Sequence, residues 1–272
     1  MKKIRPPQVA GYFYPSDPET LHNEIQKMLS DANPQKSFNK IIGIVSPHAG
    51  YMYSGRTAAY AYNAIKGKDY KTAIVISPSH AEYFPGISVY DGDAYQTPLG
   101  IVEIDEEKAR KLVEGSKLIF RGVQGHRREH ALEVQIPFLQ SVLNNFKIVP
   151  VVMGDQSKIF VDELAHKLAE VMDESTIVVA SSDLSHFYDS NKANILDSLV
   201  EKRINDFDYE HLQLDLDSHR CEACGGGPIV AMMKAAALKN YNKAEVLKRT
   251  DSGDVTGDKS EVVGYLSAVV YD

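Results

Sequence analysis

Ile41-Ile42-Gly43-Ile44-Val45, running straight into Ser46-Pro47-His48, is the stretch that decides the fold. Its apolar residues do not alternate with polar ones. A strand of this kind must be covered on both faces, which is the position of a strand inside a parallel sheet with helices on either side. Three further runs read the same way: Thr72-Ala73-Ile74-Val75-Ile76, Ile148-Val149-Pro150-Val151-Val152 and Thr176-Ile177-Val178-Val179-Ala180. A last strand is predicted over Val262-Val263-Gly264-Tyr265-Leu266-Ser267-Ala268-Val269-Val270.

Helical patterns lie between the strands. Ser54 is placed to cap a helix carrying Ala58, Ala61, Tyr62 and Ile65, and Asp105 to cap another with Glu106 and Glu107 in its first turn. Leu132, Ile136, Leu139 and Leu143 share one helical stripe, which Pro137 must kink or restart. Segments 157–172 and 190–206 read as two more helices, and Gly227-Pro228 opens one through Ala236. Strands alternating with helices give an α/β fold with a central, largely parallel or mixed sheet flanked by helices. No linker, repeat or low-complexity tract divides the 272 residues, so one domain over 1–272 is expected.

Composition narrows the function. A net charge of −7 lacks the basic surplus of a nucleic-acid binder. No apolar run approaches the roughly eighteen residues of a membrane span. Met1-Lys2-Lys3-Ile4-Arg5-Pro6-Pro7 has the charge of a signal peptide without its apolar stretch, which predicts a cytoplasmic protein. Two cysteines, Cys221 and Cys224, are too few for a disulfide scaffold.

The chemistry concentrates where strands end. After 41–45 comes His48, after 72–76 comes Ser77-Pro78-Ser79-His80, and after 176–180 comes Ser181-Ser182-Asp183-Leu184-Ser185-His186. One such histidine is an ordinary loop residue. Three at the carboxyl ends of buried strands, where open α/β sheets bind their ligands, make a candidate site. Cys224 sits in Glu222-Ala223-Cys224-Gly225-Gly226-Gly227-Pro228, ahead of a helix whose positive end is expected to favour thiolate. It reads equally as a small buried residue beside a flexible turn. A Cys-x-x-Cys dithiol is the weaker alternative. His130, Glu133 and Gln135 are read as facing the site and hydrogen-bonding to its ligands, whereas His22, His166, His211 and His219 have no such context.

These blocks resemble the Memo family. The likeness runs from Arg5-Pro6-Pro7-Gln8-Val9-Ala10-Gly11-Tyr12-Phe13-Tyr14-Pro15 through Pro47-His48-Ala49-Gly50-Tyr51, Ser77-Pro78-Ser79-His80, Glu129-His130-Ala131-Leu132-Glu133-Val134-Gln135 and the 181–186 block. It ends in Cys224-Gly225-Gly226-Gly227-Pro228 and Ser252-Gly253-Asp254-Val255-Thr256-Gly257-Asp258. The resemblance implies a fold like that of the class III extradiol, protocatechuate-cleaving dioxygenases, which hold Fe(II) with two histidines and a glutamate. On that basis His48 and His80 match the histidine ligands, Cys224 stands in place of the glutamate, and His186, with Asp183 beside it, matches the acid–base histidine. One metal ion is implied, Fe(II) first, with copper or zinc as alternatives because a thiolate is the softer ligand. The implied function is a dioxygenase-type oxidoreductase acting on a small molecule. The alternatives are a zinc hydrolase with the same ligands, or a non-catalytic protein that binds a metal or peptide, since eukaryotic relatives are associated with signalling and cell motility. Prokaryotic relatives are often encoded near a radical-SAM protein, which suggests a shared pathway.

Overall fold

The computed structural model describes residues 2–32 and 36–272; Met1, where the reading of the N-terminal charge pattern begins, lies outside them. The chain opens with β1 (Ile4–Arg5), α1 (Pro18–Asp31), β2 (Ile41–Ser46), α2 (Tyr51–Ile65) and β3 (Thr72–Pro78). Then come β4 (Ile87–Tyr90), β5 (Ala94–Thr97), β6 (Gly100–Glu103), α3 (Glu106–Val113), β7 (Ile119–Gly122), α4 (Gln135–Val142) and β8 (Lys147–Met153). It continues with α5 (Lys158–Val171), β9 (Thr176–Ser181), β10 (His186–Tyr188), α6 (Ser190–Asn205), α7 (Tyr209–Asp217) and α8 (Gly226–Leu238). The last elements are β11 (Lys243–Asp251), α9 (Gly253–Thr256) and β12 (Val262–Tyr271).

The main sheet has the order β10-β12-β2-β9-β3-β8-β4-β7, with β11 also paired to β12. β2, β9, β3 and β8 run parallel, while β12 is antiparallel to β2 and β4 antiparallel to β8. This is the mixed α/β sheet the sequence predicts. Every residue of β2, β3 and β9 is buried, as unbroken apolar runs require. α8, with α5 beside it, packs on β2, β3 and β9; α2, with α1 and α4, packs on β2 and β12. The helix contact is close at Gly43, where a Cβ would come within 2.4 Å of the Met232 sulfur. The buried apolar side chains form one cluster from Tyr14 to Val270. No helix among the described residues is long and apolar enough to cross a membrane.

Register places the site. Ser46 of β2 is level with Ser181 of β9, and Ile76 of β3 is level with Ala180. The residues after all three strands therefore leave the sheet at one edge.

Local expectations met the structure unevenly. Asp105 caps α3 as predicted, accepting from the Lys108 N–H at 3.1 Å. Pro137 falls in the first turn of α4, so the helix starts late instead of kinking. Ser54 does not cap α2. That helix begins earlier, after Gly50, because the Tyr51 N–H is already held by the Phe13 carbonyl; Ser54 sits one turn inside and donates to the Ala49 carbonyl.

Candidate metal centre

His48 leaves β2 buried, and its backbone N–H donates to Asp183 Oδ1 at 2.7 Å. Its ring orientation follows from Ser181. The Ser181 hydroxyl gives its one proton to the Ala131 carbonyl, so it can only accept from His48 Nδ1, 2.9 Å away, and from Gln135 Nε2. His48 Nδ1 is thus protonated, and its Nε2 lone pair faces the Cys224 sulfur at 3.1 Å. Gln135 fixes this corner by also donating to the Pro47 carbonyl and accepting from Tyr62.

His80 is oriented by Glu129, whose role the sequence did not reveal. The buried Glu129 carboxylate accepts from the His80, His130 and Ala131 N–H groups and from His80 Nδ1 at 3.0 Å. Burial favours its neutral form, but these donors together hold the carboxyl below its usual range. An ionised Glu129 can only accept, so His80 Nδ1 carries the proton and Nε2 is left for the site. Burial opposes charge on His80 too, and the Glu129 partner overcomes it, raising the ring's pKa.

The third group comes from the turn before α8. The Asp183 N–H points to the Cys224 sulfur at 3.2 Å, the Cys224 N–H returns to the Asp183 carbonyl, and the Gly225 N–H reaches Ser182 Oγ. Gln156 clamps the turn, donating to the Cys224 carbonyl and accepting from Gly227. Gly225 is required by close approach, since a Cβ there would lie 2.1 Å from the Ser181 carbonyl oxygen. Burial pushes the Cys224 thiol well up, with the Asp183 charge adding to the effect. The thiolate expected from the helix end is therefore not favoured by the protein alone; a cation would have to supply it.

One ligand atom from each of His48, His80 and Cys224 lies within 4.8 Å of the others. Both histidines offer Nε2 because both Nδ1 atoms are committed elsewhere, so the donor set fits a metal ion. His80, Glu129 and His130 meet the same geometric limit, but Glu129 is already engaged by four donors, three of them on Oε1. The His130 ring lies 4.8 Å from that of His80 and 5.7 Å from that of His48, with Phe13 against it.

Asp183 and His186 do not form the helical turn their spacing allows. Residues 182–185 are irregular, and Leu184 and Ser185 instead hydrogen-bond to Gly264 of β12, which draws His186 into β10. The Asp183 carboxyl turns to the His48 backbone, and burial raises it to about 7 against the pull of the His48 and Ala49 N–H groups. His186 is partly buried, which lowers its pKa and favours the neutral ring. Glu133 serves the N-terminal segment: it takes Arg5 at 2.6 Å, the Gln8 and Val9 N–H groups and the Tyr14 hydroxyl.

A family model described as Memo-like protein matches residues 5–269. A MEMO1 family protein of Thermoplasma volcanium is 40% identical over 269 residues, covering 98% of this chain and 98% of its own length. One from Nitrosopumilus maritimus is 37% identical over 268 residues, covering 96% and 98%. Among solved structures, the uncharacterized protein JW3007 from Escherichia coli K12 superposes with a TM-score of 0.51 at 14% identity, over 85% of this chain and 100% of that one. At that identity the likeness speaks for the fold alone.

Proposed function

The chain belongs to the Memo family, and from that premise we propose that it is a metal-dependent oxidoreductase of dioxygenase type, acting on a small molecule at the His48, His80 and Cys224 centre. The observation that carries this reading is the matched commitment of the two Nδ1 atoms, to Ser181 and to Glu129, which leaves each Nε2 free in a trio whose ligand atoms come within 4.8 Å of one another. Fe(II) is the metal proposed, and when bound it would supply redox capacity toward O2.

The chain's own groups do the rest. His186, neutral at physiological pH through burial, accepts a proton from a substrate hydroxyl and can return it later. His130, whose pKa burial also lowers, stacks on the His80 ring, where it would help to position the substrate. Phe13 packs against the His130 ring, with ring centres 4.7 Å apart. Asp183 holds the His48 backbone in place.

Cys224 favours a second reading, because two histidines and a thiolate with an open position also form a catalytic zinc set, and a hydrolase would use the same residues. Metal analysis of protein purified without oxygen and without chelators separates the two. Iron near one equivalent supports the oxidoreductase. One equivalent of zinc, with no iron or redox-active copper, replaces it with the hydrolase, and absence of any metal removes both.

A further inference from the structure

We propose that Phe187 is a positioning residue for His186, its ring a wall that keeps the imidazole from turning away into solvent. As a statement about proton handling this rests on the metal-centre reading above.

The first observation is a backbone one. Phe187 has a φ of +64°, in the left-handed region that a bulky side chain rarely adopts. Asn145, Phe207, His219 and Asn240 also have positive φ. Two of these are asparagines, which tolerate the conformation. Phe207 and His219 follow the ends of α6 and α7, where helices commonly stop this way, and Phe207 also packs against the core. Neither reason applies to Phe187, which lies within β10 and is 71% exposed.

Pairing shows how the conformation arises. His186 is opposite Val263 and Tyr188 opposite Val262, so β10 advances two residues while β12 advances one. Phe187 is the extra residue of a bulge, and the usual occupant of a left-handed bulge position is glycine. A phenylalanine there carries backbone strain and gains little from burial, so its ring is kept for what it touches. It touches His186: the ring centres are 5.7 Å apart and the planes lie at 66°, an edge-to-face pair.

His186 needs such a wall. The Nδ1 atoms of His48 and His80 are tied to Ser181 and Glu129, whereas among the described residues the His186 ring has no side-chain hydrogen-bond partner; its polar contact is the Leu184 backbone. The main chain beside it is well fixed. The Ser185 N–H donates to the buried Asp197 carboxylate at 3.1 Å, and Leu184 N–H and Ser185 carbonyl both bond to Gly264. Gly264 makes room for that carboxylate, since a Cβ there would lie 1.9 Å from Asp197 Oδ2. These bonds set where the His186 backbone runs and leave the rotation of its side chain to be limited by Phe187.

The test compares Phe187→Gly and Phe187→Tyr with the natural protein, full chain in each case. The rate at which diethyl pyrocarbonate acylates His186 at neutral pH is followed by mass spectrometry of the peptide that carries it. Phe187→Gly should raise that rate roughly fivefold, the scale of one aromatic pair, while Phe187→Tyr, which keeps the ring, should stay within about twofold. The urea midpoint of Phe187→Gly should equal or exceed that of the natural protein, because glycine suits the bulge. An unchanged His186 rate in Phe187→Gly, an equal rise in Phe187→Tyr, or a lowered midpoint in Phe187→Gly overturns the proposal, the last by making Phe187 a packing residue. Metal content measured on the same samples separates the two readings. If the natural protein carries no metal and His186 still responds as expected, the positioning role stands and the metal centre falls.

Discussion

The Nδ1 atom of His80 lies 3.0 Å from Oε1 of Glu129, so one buried carboxylate decides which face of that imidazole is offered to His48 and Cys224. The same carboxylate gathers the N–H groups of residues 80, 130 and 131, tying the end of β3 to the segment before α4.

Glu129→Gln keeps the shape and removes the charge. Its amide NH2 must then face one of the N–H donors that the carboxylate accepted. Affinity for the metal should fall about 10- to 100-fold, as for other partners that orient a ligand histidine. Competition against a chromophoric chelator measures this, and an unchanged constant would show that His80 is held by other means.

Cys224→Ala and His186→Ala should separate binding from proton handling. The first removes a proposed ligand; the second leaves the three ligand atoms in place. Metal content should collapse in the first and persist in the second. Equal loss in both would make His186 a ligand and remove it from the acid–base role.

Gly225→Ala should destabilise the protein by about 1–3 kcal/mol, because the new methyl meets the backbone at Ser181 and the adjoining Ser182 Cβ, and strand β9 cannot yield without breaking its pairing. Urea unfolding at equilibrium gives the number. The variant should lose metal along with stability, since the displaced turn carries Cys224; full stability with full metal content would contradict the close approach.

His126 sets a pH limit on stability. It is buried between the Tyr95 hydroxyl and the Ser88 carbonyl, and burial, aided by Arg5, lowers its pKa from 6.5 to about 3. Unfolded, the ring takes a proton below about 6.5; folded, it refuses one until about 3. Its contribution is complete above pH 6.5 and is lost as pH falls toward 3, at up to about 1.4 kcal/mol per pH unit. His126→Gln has no such proton, so its stability against pH should be flatter by that slope across the same window. Parallel curves for the two proteins would place the acid sensitivity elsewhere.

What the sequence disclosed depended on burial. β2, β3, β8 and β9 were legible to within a residue or two because both faces are apolar, and the positions of His48, His80 and His186 followed from where those strands stop. β4 to β7 and β1 were not read: they are two to four residues long, and no continuous apolar run marks them. α7 was missed because its buried face includes Gln213 and Asp215, so its apolar periodicity is broken. Glu129 was hidden for a different reason. In Arg127-Arg128-Glu129-His130 it resembles a surface charge among charges, and its role comes from three backbone N–H groups that no pattern of side chains displays. The Asp183–His186 spacing allows contact across a helical turn, but pairing with β12, distant in sequence, draws His186 into β10 instead.

The order of the proposed ligands along the chain has a consequence for biosynthesis. His48 and His80 emerge from the ribosome well before Cys224, and the strand that flanks β2, β12, follows later still. A nascent chain holding only the early histidines lacks both the sulfur and the neighbouring strand that completes the sheet. If the centre holds a metal as proposed, its capture is deferred until the polypeptide is nearly finished, because the complete donor set does not exist before then.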